Sequence, residues 1–338
     1  MTISQTILRA KAVHMNSLSE RIAGLPTEKR KLLAQLLEQK SPQSRASTLA
    51  PPVRASAAVG AVPPEVENLA LVPSEHGSPD GVKAGYRRFY DAVTKQLDST
   101  VFGQFSFFLN YGYVPDHNPQ HATITLPPHY INRNSVRLVL ELIGDCPLTG
   151  GRVLDVGCGR GGTVHVIKTM FDARSITGLD LSPQAVAFCK QVHADPHVNF
   201  FEGDAEKLPF EDGAFDAVTN VESSHSYPAI NAFYSGVYRV LSPGGSFLYT
   251  DVQPVEQMEN NIALLKRLGF VLQRDTDITS NVLLSCDEIA QTRVQAFNAA
   301  NDPELMQNFL ATPGSQVYEE MKSRRWKYRI LRLKKPLE

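Results

Sequence analysis

An α/β protein with a doubly wound, mostly parallel sheet is what the sequence predicts, and three observations predict it. The apolar run Arg152-Val153-Leu154-Asp155-Val156 breaks into Gly157, Gly159, Gly161 and Gly162 before a helical stretch opens at Thr163. Such a run suits a buried parallel strand, and the glycines permit a sharp turn with close backbone approach. Downstream, short β-rich runs alternate with amphipathic stretches long enough for crossover helices. Finally, Trp326-Lys-Tyr328-Arg-Ile330-Leu-Arg-Leu-Lys334 alternates large apolar with basic residues, as a strand antiparallel to the rest does at or near a sheet edge.

In chain order, residues 1–40 read as an amphipathic helical linker or docking segment. Leu18, Ile22, Leu25, Leu32, Leu33, Leu36 and Leu37 recur among charges, and Pro26 stands where a helix would open. Residues 41–79, rich in Pro, Ala, Ser and Val without a period, read as a flexible linker. Residues 80–147 form a helical lid or N-terminal subdomain. It holds Tyr86–Leu97, the aromatic stretch Phe105–Tyr113 and a helix over Ile131–Ile143. Residues 148–338 form the core, with strands expected at Arg152–Val156, Ser175–Leu179, Val198–Glu202, Phe215–Val221, Gly245–Asp251, Phe270–Thr276 and the last segment. Helices fall at Pro183–His193 and Ala229–Val240. A helical insertion at about 280–325, unnecessary to the sheet, is a candidate substrate cover.

Charge is balanced, with 34 Lys+Arg against 35 Asp+Glu among 338 residues, so nothing global argues for nucleic acid as a partner. There is no apolar run of membrane-spanning length and no signal-peptide layout, which points to a cytoplasmic protein. Four cysteines without C-x-x-C spacing fit reduced thiols. His117, His121 and His129 have no recognisable ligand spacing, so no metal is expected.

Gly157, Gly159 and Gly162 satisfy G-x-G-x-x-G, and Asp180 closes the next strand where a ribose-binding acid belongs. That pattern serves a nicotinamide dinucleotide as well as another adenosine ligand. Asp155, just before the glycines, would repel a pyrophosphate yet can help hold an ammonium group. Asp204, after the third strand, is placed to accept from an adenine amine. Together these acids favour an amino-acid-bearing nucleoside.

Residues 150–252 resemble the class I S-adenosylmethionine-dependent methyltransferases, whose sheet is Rossmann-like. The resemblance rests on Leu154-Asp-Val-Gly-Cys-Gly-Arg-Gly-Gly, Ile176-Thr-Gly-Leu-Asp-Leu-Ser182, Gly203-Asp-Ala-Glu-Lys-Leu-Pro-Phe210, Phe215-Asp-Ala-Val and Val240-Leu-Ser-Pro-Gly-Gly245. It implies that Gly157 and Gly159 border the methionine part of S-adenosyl-L-methionine. It likewise implies that Asp180 and the adjoining Leu181 meet the ribose, that Asp204 and Ala205 hold the adenine, and that Asn220 lies beside the cofactor.

Phe107-Phe-Leu-Asn-Tyr-Gly-Tyr113 and Asn220-Val-Glu222-Ser-Ser-His225-Ser-Tyr-Pro228 are similar, more narrowly, to O-methyltransferases of polyketide-type lipids and assembly-line natural products. Leu25–Leu37 is similar to linkers in such assembly lines, which implies an acyl carrier protein or neighbouring domains as partners. A hydroxylated polyketide-type substrate follows, and its hydroxyl needs a base. His225, on the loop after the fourth strand, is the candidate; Glu222 would orient the imidazole or hold the substrate. Tyr111 and Tyr113 are core packing first and candidate covers for the sulfonium second. The basic tail Lys322–Arg329 can meet an acidic carrier surface or simply face water. An N-methyltransferase, a free-standing small-molecule or lipid O-methyltransferase, a non-catalytic assembly-line scaffold and a nicotinamide-dependent oxidoreductase are the alternatives.

Overall fold

The computed structural model describes residues 78–100, 103–115, 126, 132–296 and 303–337. The amphipathic segment 1–40, nearly all of the 41–79 linker, and His117, His121 and His129 lie outside the described residues. Helix α1, Pro79–Ser99, begins at the edge of the expected linker. Ser78 Oγ accepts the Gly81 N–H at 3.2 Å and Pro79 occupies the first turn, where its missing N–H costs nothing. Its buried stripe, Tyr86, Phe89, Val93 and Leu97, recurs at helical spacing. Helix α2 spans Arg133–Ile143.

The core alternates as the sequence predicts. Strand β1 (Arg152–Val156) leads to α3 (Gly162–Met170), β2 (Ser175–Asp180) to α4 (Pro183–Val192), and β3 (Val198–Glu202) to a 3-10 turn at Ala205–Lys207. Next come β4 (Phe215–Val221), α5 (Ile230–Val240), β5 (Leu241–Pro254), α6 (Val255–Arg267) and β6 (Val271–Asp277). The expected insertion is helical, as α7 (Thr279–Ala296), α8 (Pro303–Phe309) and α9 (Gln316–Lys322), and β7 (Trp326–Lys334) closes the sheet.

Strand order is β3-β2-β1-β4-β5-β7-β6, with β1 to β5 parallel and β7 antiparallel to both β5 and β6. The order reverses between β1 and β4, the switch point where ligands bind outside the strands' carboxyl ends. Strand β7 lies near the edge, as expected, one place in from it, with Tyr328, Ile330, Leu331 and Leu333 fully buried and β6 at the edge itself. One detail differs from expectation. Strand β5 is longer than Gly245–Asp251, because its antiparallel ladder with β7 runs from Ser246↔Lys334 to Pro254↔Trp326.

The main core packs Leu154, Val156 and Val218 of the sheet against Phe233, Tyr234 and Val237 of α5. A smaller cluster joins Phe89, Val93 and Leu97 of α1 to Phe309 and Leu310, so the insertion rests on the N-terminal helix. Among the described residues no helix is long and apolar enough to cross a membrane.

At the amino ends of β1, β4 and β5, Asp216 accepts from the Arg152 guanidinium at 2.9 Å and 3.1 Å, the Arg152 N–H at 2.8 Å and Ser242 Oγ at 3.1 Å. The hydrogen bond from Arg152 chiefly draws its carboxyl from 3.8 down to about 2. A depressed carboxylate stabilises the fold above its unfolded pKa and loses that effect as pH falls through the folded value. Asp216→Asn is therefore expected to cost about 1 kcal/mol or less at neutral pH, since the pair is partly solvated. Urea unfolding curves of the two proteins should converge as pH falls from 3.8 to about 2.

Candidate active site

Four successive strands deliver their carboxyl ends to one cavity of about 1300 Å³, its open mouth included. From β1 comes the glycine turn, from β2 Asp180, from β3 Asp204, and from β4 the loop bearing Glu222 and His225. Gly157 requires its residue type twice over. Its φ is +69°, and a Cβ there would stand 2.7 Å from both Ser223 Cβ and the Tyr227 hydroxyl. The turn thus presses against the His225 loop. Gly159 faces open space instead, with nothing closer to an added Cβ than Leu109 at 3.7 Å.

Of the residues singled out in the sequence, Gly157, Gly159, Asp180, Leu181, Asp204, Ala205, Glu222, His225 and Tyr111 line this cavity. Asp180 accepts the Gly159 N–H at 2.7 Å and the Ser182 N–H at 2.8 Å, which fixes the turn against β2. Burial raises its pKa, and the two backbone hydrogen bonds oppose that. Asp204 Oδ2 accepts from Lys83 of α1 at 2.7 Å, and Lys83 also pairs with Glu206. An adenine amine at Asp204 would share it with that ammonium.

Asp155, Asn220 and Tyr113 do not line this cavity. Asp155 is 2% exposed and accepts from Thr219 Oγ1 on the neighbouring strand at 2.7 Å; burial pushes its carboxyl up to about 7. A strand sends alternate residues to opposite faces, so an acid inside β1 need not reach the loops. Asn220 stands behind the turn, donating to the Val156 carbonyl at 2.9 Å and Ser223 Oγ at 2.7 Å, with its own Oδ1 buried and unpartnered. Tyr113 is 1% exposed.

The histidine's hydrogen-bonded carboxylate is one that the sequence did not single out. His225 Nδ1 lies 2.8 Å from Asp251 Oδ1, so Asp251 rather than Glu222 is the carboxylate on the ring. Asp251 is fully buried on β5 and also accepts from Ser224 Oγ at 2.6 Å, the His225 N–H at 3.0 Å and the Val252 N–H at 2.8 Å. These donors hold the carboxylate in one orientation. A carboxylate only accepts, so in the neutral ring Nδ1 carries the proton and Nε2 is the basic nitrogen. On the same face of β5, Tyr249 and Gln253 bracket Ser224, the former at 2.9 Å. Asp251 gives little signal in the sequence beyond being an acid near the carboxyl end of an apolar strand, as Asp180 is on β2.

Glu222 has a left-handed backbone, φ +49°, uncommon for a residue with a Cβ. It accepts the Tyr111 N–H at 2.8 Å and the Tyr328 hydroxyl, joining the aromatic loop to β7. Burial lowers the pKa of His225, but the charge and hydrogen bond of Asp251 and the charge of Glu222 raise it more, for a net increase.

The rest of the wall is apolar. Tyr86 and Tyr90 of α1, Phe108 and Leu109 of the aromatic loop, and Phe309 of the insertion line it, with Phe309 edge-on to Tyr90. Arg160 of the glycine turn is fully buried, donating to the carbonyls of Ser106 and Gly103, each at 2.7 Å, and Thr94 at 3.3 Å. It pairs with Asp98 at 2.8 Å and stacks on Phe188 at 3.5 Å, fastening the N-terminal elements to the turn. In the C-terminal basic stretch, Arg325 pairs with Glu320, and Arg324 and Lys327 with Asp277, so nearby acids offset its charge.

Residues 154–249 match the methyltransferase domain family. Over 244 residues the chain is 35% identical to a fatty-acid O-methyltransferase of Mycolicibacterium smegmatis, covering 68% of this chain and 84% of that one. The chain belongs to the S-adenosylmethionine-dependent methyltransferases. A second relative of this methyltransferase, the probable phthiotriol/phenolphthiotriol dimycocerosates methyltransferase 2 of Mycobacterium ulcerans, is 43% identical over 60% of this chain and 76% of the other. The fold is shared with geranyl diphosphate C-methyltransferase from Streptomyces coelicolor A3(2), solved with S-adenosyl-L-homocysteine, at TM-score 0.53 and 18% identity over 75% of this chain and 98% of that one. S-Adenosylmethionine is the cofactor, and the cavity suits it. A cationic sulfonium and ammonium would find acids on the wall, Asp180 and Glu222 among them, and open space over Gly159.

Proposed function

We propose that this methyltransferase methylates a hydroxyl oxygen of a polyketide-type or related lipid substrate, with His225 as the general base. The supporting observation is the His225–Asp251 pair on the cavity wall, with Nδ1 engaged at 2.8 Å. A hydroxyl is a poor nucleophile until its proton leaves, and a base positioned for that proton contributes roughly 10²–10⁴-fold. His225 Nε2 takes the proton as the oxygen bonds to the methyl carbon, and Asp251 steadies the imidazolium that results. Gly157, Gly159 and Tyr111 would hold the methionine part of the cofactor, Asp180 and Leu181 the ribose, and Asp204 with Ala205 the adenine. When bound, the cofactor supplies an electrophilic methyl group. The activities of the two relatives, methylation of a fatty acid and of phthiotriol-type lipids, support a long apolar acceptor. A chain tethered to an acyl carrier protein is one form such an acceptor takes.

Intact-mass detection of one added CH₂ across a panel of free and carrier-bound hydroxyl compounds tests this reading. Methylation confined to amine acceptors would refute it.

The same geometry sets a pH dependence. A base must be deprotonated, so kcat/KM should fall on the acid side through a pKa above the ordinary histidine value of 6.5. Glu222→Gln keeps an acceptor for Tyr111 and Tyr328 but removes a negative charge that raises the histidine. The acid limb should move to lower pH in that variant, and an unmoved limb would show that Glu222 does not act on the base.

A further inference from the structure

Behind His225 runs a chain of buried polar side chains that ends on helix α6. Asp251 takes the imidazole at Nδ1 through one oxygen and the Ser224 hydroxyl, at 2.6 Å, through the other. Ser224 Oγ lies 2.9 Å from the Tyr249 hydroxyl and 3.4 Å from Gln253 Nε2, which also donates to Tyr249 at 3.3 Å. Gln253 Oε1 in turn accepts from Asn261 Nδ2 at 2.8 Å. Tyr249, Asp251 and Gln253 share one face of β5, as alternate residues of a strand do. Ser224, Asp251, Gln253 and Asn261 are each 5% exposed or less.

The carboxylate gives the chain its direction. Asp251 only accepts, so the single Ser224 proton belongs to it, and Ser224 can only accept from Tyr249 and Gln253. Gln253 must therefore present Nε2 to Ser224 and Oε1 to Asn261, which must donate. Without the Asn261 donor the Gln253 amide is free to turn, and its oxygen would draw the Ser224 proton away from Asp251. A carboxylate that loses a hydroxyl donor holds the imidazolium more strongly, so the imidazole becomes more basic. Stability alone does not call for two buried amides here, since apolar groups of the same shape serve nearly as well.

We propose that Ser224, Gln253 and Asn261 are positioning residues for His225, three links that commit the Ser224 proton to Asp251 and so set how strongly that carboxylate holds the imidazolium. This rests on the reading of His225 as the base and adds the residues that set its working pH. From other elements, Glu222 beyond β4 adds charge at the imidazole. Tyr86 and Tyr90 of α1, Tyr227 beside the base's own turn, Tyr234 of α5 and Tyr328 of β7 bring phenols towards Ser226 or Asp251. Burial pushes these phenols and that of Tyr249 up, so they stay neutral where an imidazole titrates.

NMR titration of the full chain, isotope-labelled at histidine Cε1 and loaded with S-adenosylhomocysteine, tests the proposal without turnover. The His225 resonance is the one missing from His225→Ala. Ser224→Ala is expected to move its midpoint to higher pH by about half a unit or more, about a threefold gain in proton affinity. Ser224→Thr, which keeps the hydroxyl, should hold the wild-type midpoint. Gln253→Leu and Asn261→Leu should move it upwards by a smaller step, because each leaves Ser224 in place but frees its proton. A midpoint unmoved in Ser224→Ala, or moved equally in Ser224→Thr, would overturn the proposal. So would unmoved midpoints in both leucine variants, which would make the amides packing only. The acid limb of kcat/KM, followed with the panel compound that gains CH₂, should move with the midpoint, opposite to its movement in Glu222→Gln. A moved midpoint with an unmoved limb would leave the positioning chain standing and overturn His225 as the base.

Discussion

His225→Ala is expected to lower kcat for methyl transfer to a hydroxyl by roughly 10²–10⁴-fold, about 3–5 kcal/mol of transition-state stabilisation. Binding of S-adenosylhomocysteine should be unchanged, because the imidazole's hydrogen-bond partner is Asp251 on β5 and the glycine turn is held by Asp180. Calorimetry for the cofactor and single-turnover kinetics for the chemistry separate the two effects. Full activity with full cofactor binding would remove His225 from the mechanism and point to an amine acceptor, which loses its proton without a strong base. Asp251→Asn should reproduce much of the loss, since an amide can hold the ring in the tautomer that places its proton on Nε2. It should also destabilise the fold, because two donors converge on each Asp251 oxygen and the NH₂ that replaces one of them cannot accept.

Arg160→Ala is the corresponding prediction for stability. The side chain is fully buried and supplies the carbonyls of Thr94, Gly103 and Ser106 with donors, while its guanidinium lies on Phe188. Asp98 is half exposed and recovers water when the arginine is lost, so the uncompensated cost falls on the carbonyls and the emptied volume. A loss of about 3 kcal/mol in denaturant unfolding free energy is expected. Lysine should not rescue it, because a single ammonium cannot reproduce the planar fork. A loss under about 1 kcal/mol, the worth of an ordinary surface pair, would mean that the N-terminal elements are fastened elsewhere. The same variant should weaken cofactor binding, since Arg160 lies within the turn between Gly159 and Gly161.

Much of this protein is legible in its sequence, for reasons that are local. Strand and helix periods in residues 152–277 produce the alternation, and the order of short motifs identifies a methyl donor rather than a dinucleotide. A glycine at position 157 and an acid at the end of β2 are readable because turn chemistry and strand-end position depend on near neighbours in the chain. The β7 ladder is less legible: alternation marks the strand, but which strands flank it, β5 and β6, depends on contacts distant in the chain.

What sequence by itself determined is the fold class, the cofactor and the loop that carries His225. Tertiary structure alone decided which carboxylate lies on that imidazole. Glu222 is three residues from His225 and looked like its partner, but its hydrogen bonds go to Tyr111 and Tyr328. Asp251 is 26 residues away along the chain and 2.8 Å away in space. Tertiary structure also decided that Asp155 sits inside the sheet and that Lys83 is paired with Asp204 and Glu206. The physical reason is common to these cases. A motif specifies what one strand end presents, whereas a charge finds its partner through the packing of strands that the chain brings together only on folding.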